Sequence, residues 1–257
     1  MTADVIVLFT DFGPVGPYVG QVKAVLCRDA PGEPVIDLFA DAPAHAPKAA
    51  AYLLAAYAGE FPEGTVFLAV VDPGVGGPRL PGVLEADGRW YVGPDNGLFE
   101  LIVRRAKTTP RWWDILWRPD LLSETFHGRD LFAPIAARLV QGETPLEGSR
   151  GSREDYEEAL LARIRHLDWP DDLAEIIYLD GFGNAMTGLR AETLSKTAEI
   201  SVSGRIVRRV QRFSDVAKGD LLGYENANGL LEISVNQGRA DTKLDLKIGS
   251  QVTVSEM

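Results

Sequence analysis

The chain has 257 residues, 46% hydrophobic and 25% charged, with a formal net charge of -11. That is enough for one large or two medium domains of ordinary soluble composition. The acidic balance argues against nonspecific nucleic-acid binding, which needs clustered Lys and Arg, and a lone cysteine, Cys27, excludes an internal disulfide or a multi-cysteine metal site.

No apolar stretch reaches 18 residues, so no membrane span is expected. The N-terminus enters an apolar run at once, without a basic region or cleavage signature. A cytoplasmic protein is the expectation.

Val5 to Phe9 is a continuous apolar run and predicts a central strand ending at Thr10-Asp11-Phe12-Gly13. A Gly/Pro loop follows, with Gly13, Pro14, Gly16 and Pro17. Tyr18 to Arg28 then carries Tyr18, Val22, Val25 and Leu26 at helical spacing. Pro34 to Phe39 predicts a second strand, and the Ala-rich stretch Pro47 to Tyr57 a helix, with Pro47 suited to its first turn. The run ending at Val71 is too short for an ordinary helix and is bounded by breakers, so it predicts a buried strand. Gly82 to Val92 predicts a hairpin turning at Asp87-Gly88. Leu98 to Ala106 and Leu131 to Leu139 are expected helices, and Phe126 to Asp130 a loop. Thr109 to Ser123, with three tryptophans, has no clear period.

Strands alternating with helices imply a mostly parallel central sheet with crossover helices over residues 1–145. Residues 146–172 are charged and are expected to form a linker, partly helical from Arg153 to Ile164. From 173 to 257 short runs of β-formers alternate with turns: Ala174 to Leu179, Ala198 to Val202, Arg205 to Val210, Leu221 to Tyr224, Leu230 to Val235 and Gln251 to Val254. That predicts a smaller, all-β, barrel-like or sandwich domain.

Asp11, Asp72 and Asp95 each follow a strand-like run, with Gly or Pro close by. Asp-Gly and Pro-Asp pairs are ordinary turn chemistry, and that reading suits Pro94-Asp95-Asn96-Gly97. Asp11 and Asp72 differ because each ends a buried strand, where ligands bind in open α/β sheets. Arg79 shares the Asp72 loop. His127 reads first as a structural or exposed histidine, with a base near neutral pH as the rival reading. Asp72, His127 and His45 lack metal-ligand spacing, and no metal is expected. The Gly74 to Gly77 run is neither a phosphate loop nor a dinucleotide fingerprint. Asp180-Gly181-Phe182-Gly183-Asn184 reads as a tight turn, or as a clamp offering a ring to stack on and an amide to bond.

Taken in order, several stretches resemble one family: Phe9-Thr10-Asp11-Phe12-Gly13, Tyr18 to Lys23, Phe61 to Val66, Val70 to Gly77, Val92 to Leu98, Phe126 to Pro134, Phe182-Gly183-Asn184 and Leu230 to Asn236. The family is the S-adenosylmethionine (SAM) hydroxide adenosyltransferases, relatives of the SAM-dependent chlorinases and fluorinase. The resemblance implies an N-terminal α/β domain, a C-terminal barrel-like domain, and a homotrimer binding SAM between subunits. It implies attack of water at the ribose C5′, releasing methionine and adenosine, with SAM as substrate and no cofactor. A water-activating trio falls on Asp72, Arg79 and His127. Substrate contacts fall on Asp11, Asp72, Asn96, Asp180, Phe182, Asn184, Glu232 and Val235. Three departures bear on substrate affinity: Gly16-Pro17 where a second acid is common, Ala227 where a serine is usual, and Ala44-His45 near the place of an aromatic. The rival readings are a halogenase making 5′-chloro-5′-deoxyadenosine and a nucleoside-binding protein without turnover.

Overall fold

The computed structural model describes residues 5–146, 153–161 and 165–255. The chain divides into two units, Met1–His166 and Leu167–Met257.

The first unit is built on a seven-stranded sheet. Its strands are β1 (Ile6–Thr10), β2 (Val35–Phe39), β3 (Val66–Val70), β4 (Pro81–Ala86), β5 (Arg89–Pro94), β6 (Arg111–Ile115) and β7 (Tyr156–Ala159), in the spatial order β2-β1-β3-β5-β4-β6-β7. Pairing is parallel across β2-β1-β3-β5 and antiparallel from β5 onward. β1 and β3 are buried at every position, as strands covered on both faces must be.

Helices α1 (Tyr18–Asp29) and α4 (Ala133–Val140) cover one face. There Ile6, Leu8, Val66 and Leu68 pack with Val22, Leu26, Ile135 and Leu139 in one core cluster. Each such side chain contributes about 1.5–3 kcal/mol on burial. On the other face Phe9 meets Phe39, and Phe39 meets Tyr57 of α2 (Pro47–Tyr57), both edge-on. The hairpin turns at Asp87-Gly88 as expected, with φ of 50° and 72°. The helix expected from Leu98 is shorter, α3 (Glu100–Arg105).

Two stretches differ from the sequence expectation. The tryptophan-rich segment contains β6, whose Trp112, Trp113 and Ile115 are all buried: it is a strand with both faces covered, so no alternation marks it. The segment expected as partly helical from Arg153 makes one short 3-10 turn, Arg153–Asp155, and then β7, which pairs with β6. Pairing with an open sheet edge outweighed a weak local helix preference. Residues 147–152 and 162–164 of the expected linker lie outside the described residues.

The second unit is a second seven-stranded sheet: β8 (Leu173–Leu179), β9 (Ala185–Arg190), β10 (Glu199–Val202), β11 (Arg205–Arg209), β12 (Leu221–Glu225), β13 (Leu230–Val235) and β14 (Val252–Ser255). The order is β14-β10-β11-β12-β13-β9-β8. Its two ends meet at a Glu175–Gln251 bridge, flanked by Ile176 N–H to Ser250 O and Gly249 N–H to Ile176 O, both 2.8 Å. The sheet thereby curls toward a barrel and protects its edges. Ile176, Ile200, Val202, Val207, Leu231 and Ile233 fill it, and helix α5 (Ala240–Leu244) adds Ala240 and Leu244 to the same cluster.

Candidate active site

Parallel strands end together, so the residues after β1 and β3 emerge on one edge of the sheet. Asp11 follows β1 and Asp72 follows β3. Arg79 returns on the loop from β3 to β4. Gly76, at φ 76°, lets this loop pass beside Glu124, since a Cβ there would stand 2.6 Å from the Glu124 carbonyl oxygen. His127 immediately precedes a wide π-type turn, Gly128–Phe132, that leads into α4 and carries an Ala133 N–H to Gly128 O bond. Phe12 packs against Gly128, where a Cβ would lie 2.6 Å from its ring.

These residues meet. Arg79 Nε donates to Asp72 Oδ2 at 2.9 Å, and Arg79 Nη2 donates to the same oxygen. Nη2 also lies 2.9 Å from His127 Nδ1. A guanidinium only donates, so Nδ1 is the acceptor in this contact. The imidazole is then the neutral tautomer with its proton on Nε2. Burial, and next the Arg79 charge, hold the His127 pKa below its usual 6.5 and favour that neutral form. The trio is enclosed: the Asp72 and Arg79 side chains are 4% and 10% exposed, and His127 is 9% exposed. Arg79 also stacks over the Phe132 ring, 5.4 Å from its centroid.

Asp72 Oδ1 is different. It is buried and has no hydrogen-bond partner among the described residues. Both arginine bonds fall on Oδ2, so one carboxylate oxygen is held and the other is unpartnered.

Asp72 and His127 line a pocket of about 520 Å³ with Asp11, His45 and the rings of Tyr18 and Phe126. Tyr18 meets Phe126 edge-on at 5.4 Å. Asp11 Oδ2 accepts the His45 backbone N–H at 3.1 Å, with His45 in the left-handed region at φ 57°. Burial raises the Asp11 pKa; the His45 N–H opposes that rise and Asp72 adds a little to it. Two carboxylates facing one pocket suit a cationic ligand or ribose hydroxyls.

The other expected contacts lie outside this pocket's lining. The Asn96 amide is engaged locally: Nδ2 donates to Val71 O at 2.8 Å, and Oδ1 accepts from Leu98 N–H. It ties the loop after β5 to the end of β3, and it does not line the pocket. In the second unit Asp180 Oδ1 accepts the Phe182 and Asn184 N–H groups, and Oδ2 accepts Asn184 Nδ2, all at 2.8 Å. The turn so fixed presents Phe182 with 80% of its surface exposed. Glu232 is buried and accepts Tyr224 OH at 2.5 Å and Asn226 Nδ2 at 2.9 Å. Val235 is buried in the barrel core. Tyr18 and Phe126 were not singled out as site residues by sequence reasoning, and His45 was noted only as a rejected metal candidate and a departure near the place of an aromatic. Their signal was adjacency to Gly/Pro-rich stretches and to His127.

Among the described residues no group of three or more His, Cys, Asp or Glu is arranged to hold a metal, and no helix is long and apolar enough to cross a membrane.

Fold and site together define a two-unit protein, an α/β unit and then a barrel-like β unit with one short helix, with a small-molecule pocket at the carboxyl edge of the first unit's parallel strands and a buried Asp-Arg-His trio in its wall. Residues 6–149 match the family model for the SAM hydroxide adenosyltransferase N-terminal domain, and residues 174–253 the model for the C-terminal domain. The chain belongs to the SAM hydroxide adenosyltransferase family. It is 42% identical to the (R)-S-adenosyl-L-methionine hydrolase of Thermus thermophilus, covering 95% of this chain and 96% of that one. It is 36% identical to the protein of the same name from Salinispora arenicola, covering 96% and 95%. Among solved structures it resembles an uncharacterized conserved protein from Thermotoga maritima, with a TM-score of 0.83, 30% identity and 98% and 100% coverage. A conserved hypothetical protein from Thermus thermophilus gives a TM-score of 0.76 at 35% identity, with 98% and 99% coverage.

Proposed function

We propose that this protein hydrolyses S-adenosyl-L-methionine to adenosine and L-methionine. The relatives' name specifies the R configuration at the sulfonium, and that epimer is the proposed substrate. The observation that carries the reading is a single guanidinium joining Asp72 and His127 in a pocket that also holds Asp11.

The sulfonium is its own leaving group, so no acid is needed on that side and the reaction as written needs no cofactor. Water is the weak partner and has to be held in line with the C5′–S bond. The water oxygen bonds to C5′ while the C5′–S pair returns to sulfur as neutral methionine. The water sheds one proton, leaving the 5′-hydroxyl of adenosine. Asp72 Oδ1 is the acceptor for that proton. His127, neutral and protonated on Nε2, holds the water by donation rather than removing its proton. Arg79 stabilises oxygen charge as it develops and fixes both partners. Asp11 binds ribose hydroxyls. Asp180, Phe182, Asn184, Glu232 and Val235 serve substrate binding from the second unit; Asn96 supports the Asp72 loop.

We further propose a homotrimer in which the second unit of a neighbouring chain completes each site; the exposed Phe182 on its fixed turn supports this. A cytoplasmic location fits the lone, exposed Cys27.

The test is incubation with each sulfonium epimer in ¹⁸O water. Adenosine labelled at the 5′-oxygen is expected from the R epimer. 5′-Chloro-5′-deoxyadenosine in chloride buffer would instead identify a halogenase. Nucleoside binding without turnover would identify a binding protein.

A further inference from the structure

Thr10 ends β1, is 1% exposed, and its Oγ1 has no hydrogen-bond partner among the described residues. A buried hydroxyl without a partner costs stability, and an isosteric valine would remove that cost. Its neighbourhood says what the hydroxyl is for. Thr10 stands opposite Val70 in the parallel register. Side chains alternate along a strand, so Thr10 shares the sheet face of Ile6 and Leu8, which pack in the same cluster as Val70 and Phe132. Phe132 is the ring beneath Arg79. Asp72 lies two residues beyond Val70, and its Oδ1 is the other unpartnered buried oxygen on this edge. Were the chain to run on extended past Val70, ordinary strand spacing and rise would put the Thr10 and Asp72 backbones about 8 Å apart. Two short polar side chains could bridge that distance with one water between them.

We propose that Thr10 is a positioning residue for water activation, bonded through one buried water to Asp72 Oδ1. The inference rests on the hydrolase reading above. Arg79 grips only Oδ2, so the carboxylate can rock about that contact. The Thr10-held water takes one lone pair of Oδ1 and stops the rocking. The second lone pair then faces the nucleophilic water. Thr10 touches no substrate and acts only through Asp72.

The experiment compares wild type, Thr10→Val and Thr10→Ser on the R epimer, reading kcat and KM separately beside thermal melting. Thr10→Val is expected to lose about tenfold or more in kcat, with KM within twofold and a melting temperature no lower than wild type. Thr10→Ser, which keeps the hydroxyl, is expected to retain kcat within threefold. A purely structural threonine predicts the reverse: Thr10→Val as active as wild type. That result, or an equal kcat loss in Thr10→Ser, overturns the proposal. Where Thr10→Val does not fold, Thr10→Cys replaces it, since a thiol is a weak donor. A fall in kcat without a fall in melting temperature supports the role, and unchanged kcat overturns it. Absence of adenosine with wild type refutes the hydrolase reading itself, a distinct outcome.

Discussion

Replacing Arg79 with methionine keeps the length of the side chain and removes its charge. Asp72 is then left as a buried anion, 4% exposed, without its only charged partner in the trio, and His127 Nδ1 loses its donor. A surface pair would be worth 1 kcal/mol or less. This pair is in the buried regime, where removing one partner costs about 3–5 kcal/mol because the other charge stays desolvated. For a unit of this size each kcal/mol moves the melting temperature by about 2–4 °C, so Arg79→Met is expected to melt about 6–20 °C below wild type. Turnover is expected to fall by about 10²–10³, the usual loss when a fixed donor to developing oxygen charge is removed. Adding Asp72→Asn removes the stranded anion, so the double variant regains most of the melting temperature and none of the activity. Calorimetry and adenosine release measure the two effects separately. A single variant as stable as wild type would refute the buried-pair reasoning. A double variant with substantial turnover would remove the pair from the chemistry.

Lowering the pH tests His127. Its pKa is below 6.5 in the fold, so between 6.5 and that lower value the unfolded chain binds more protons. Stability from this group is complete above pH 6.5 and declines as pH falls through the window. The rate should be level down to pH 6.5, and a His127-dependent acid limb centred above 6.5 would contradict the neutral tautomer. Glu100→Gln should destabilise the first unit by about 2–3 kcal/mol, seen as a lower melting temperature, because the buried Glu100 carboxylate accepts from Arg104, Arg165 and the His166 N–H. Phe182→Ala should leave melting unchanged and raise KM severalfold; unchanged KM would take this ring out of substrate binding.

Much of the first unit was legible because its chemistry is local. β1 and β3 are uninterrupted apolar runs closed by Asp and Gly, and the Asp87-Gly88 hairpin announces its own turn. β9 was not legible: Ala-Met-Thr-Gly-Leu-Arg has neither a clear alternation nor strong β-formers, and it forms because β8 and β13 lie on either side. The helix expected after Arg153 failed for a related reason, since the free edge of β6 is invisible from the local residues. At the site, Asp11, Asp72 and Arg79 could be suspected from position at strand ends. His127 was joined to them only by the family resemblance, since its contact with Arg79 spans 48 residues of chain, and its tautomer is set by a donor that no spacing rule reveals.

The wide turn at Gly128–Phe132 also bears on how this site tolerates sequence change. Such a turn holds one residue more than an α-helical turn. Deleting one residue there would restore a regular helix running into α4, with gains in backbone geometry. The same deletion would swing whatever precedes it by about 100° around the helix axis, carrying the His127 ring off the Arg79 nitrogen. A length change at this point therefore trades the histidine for a better helix, so length variants that keep activity should fall outside residues 127–133.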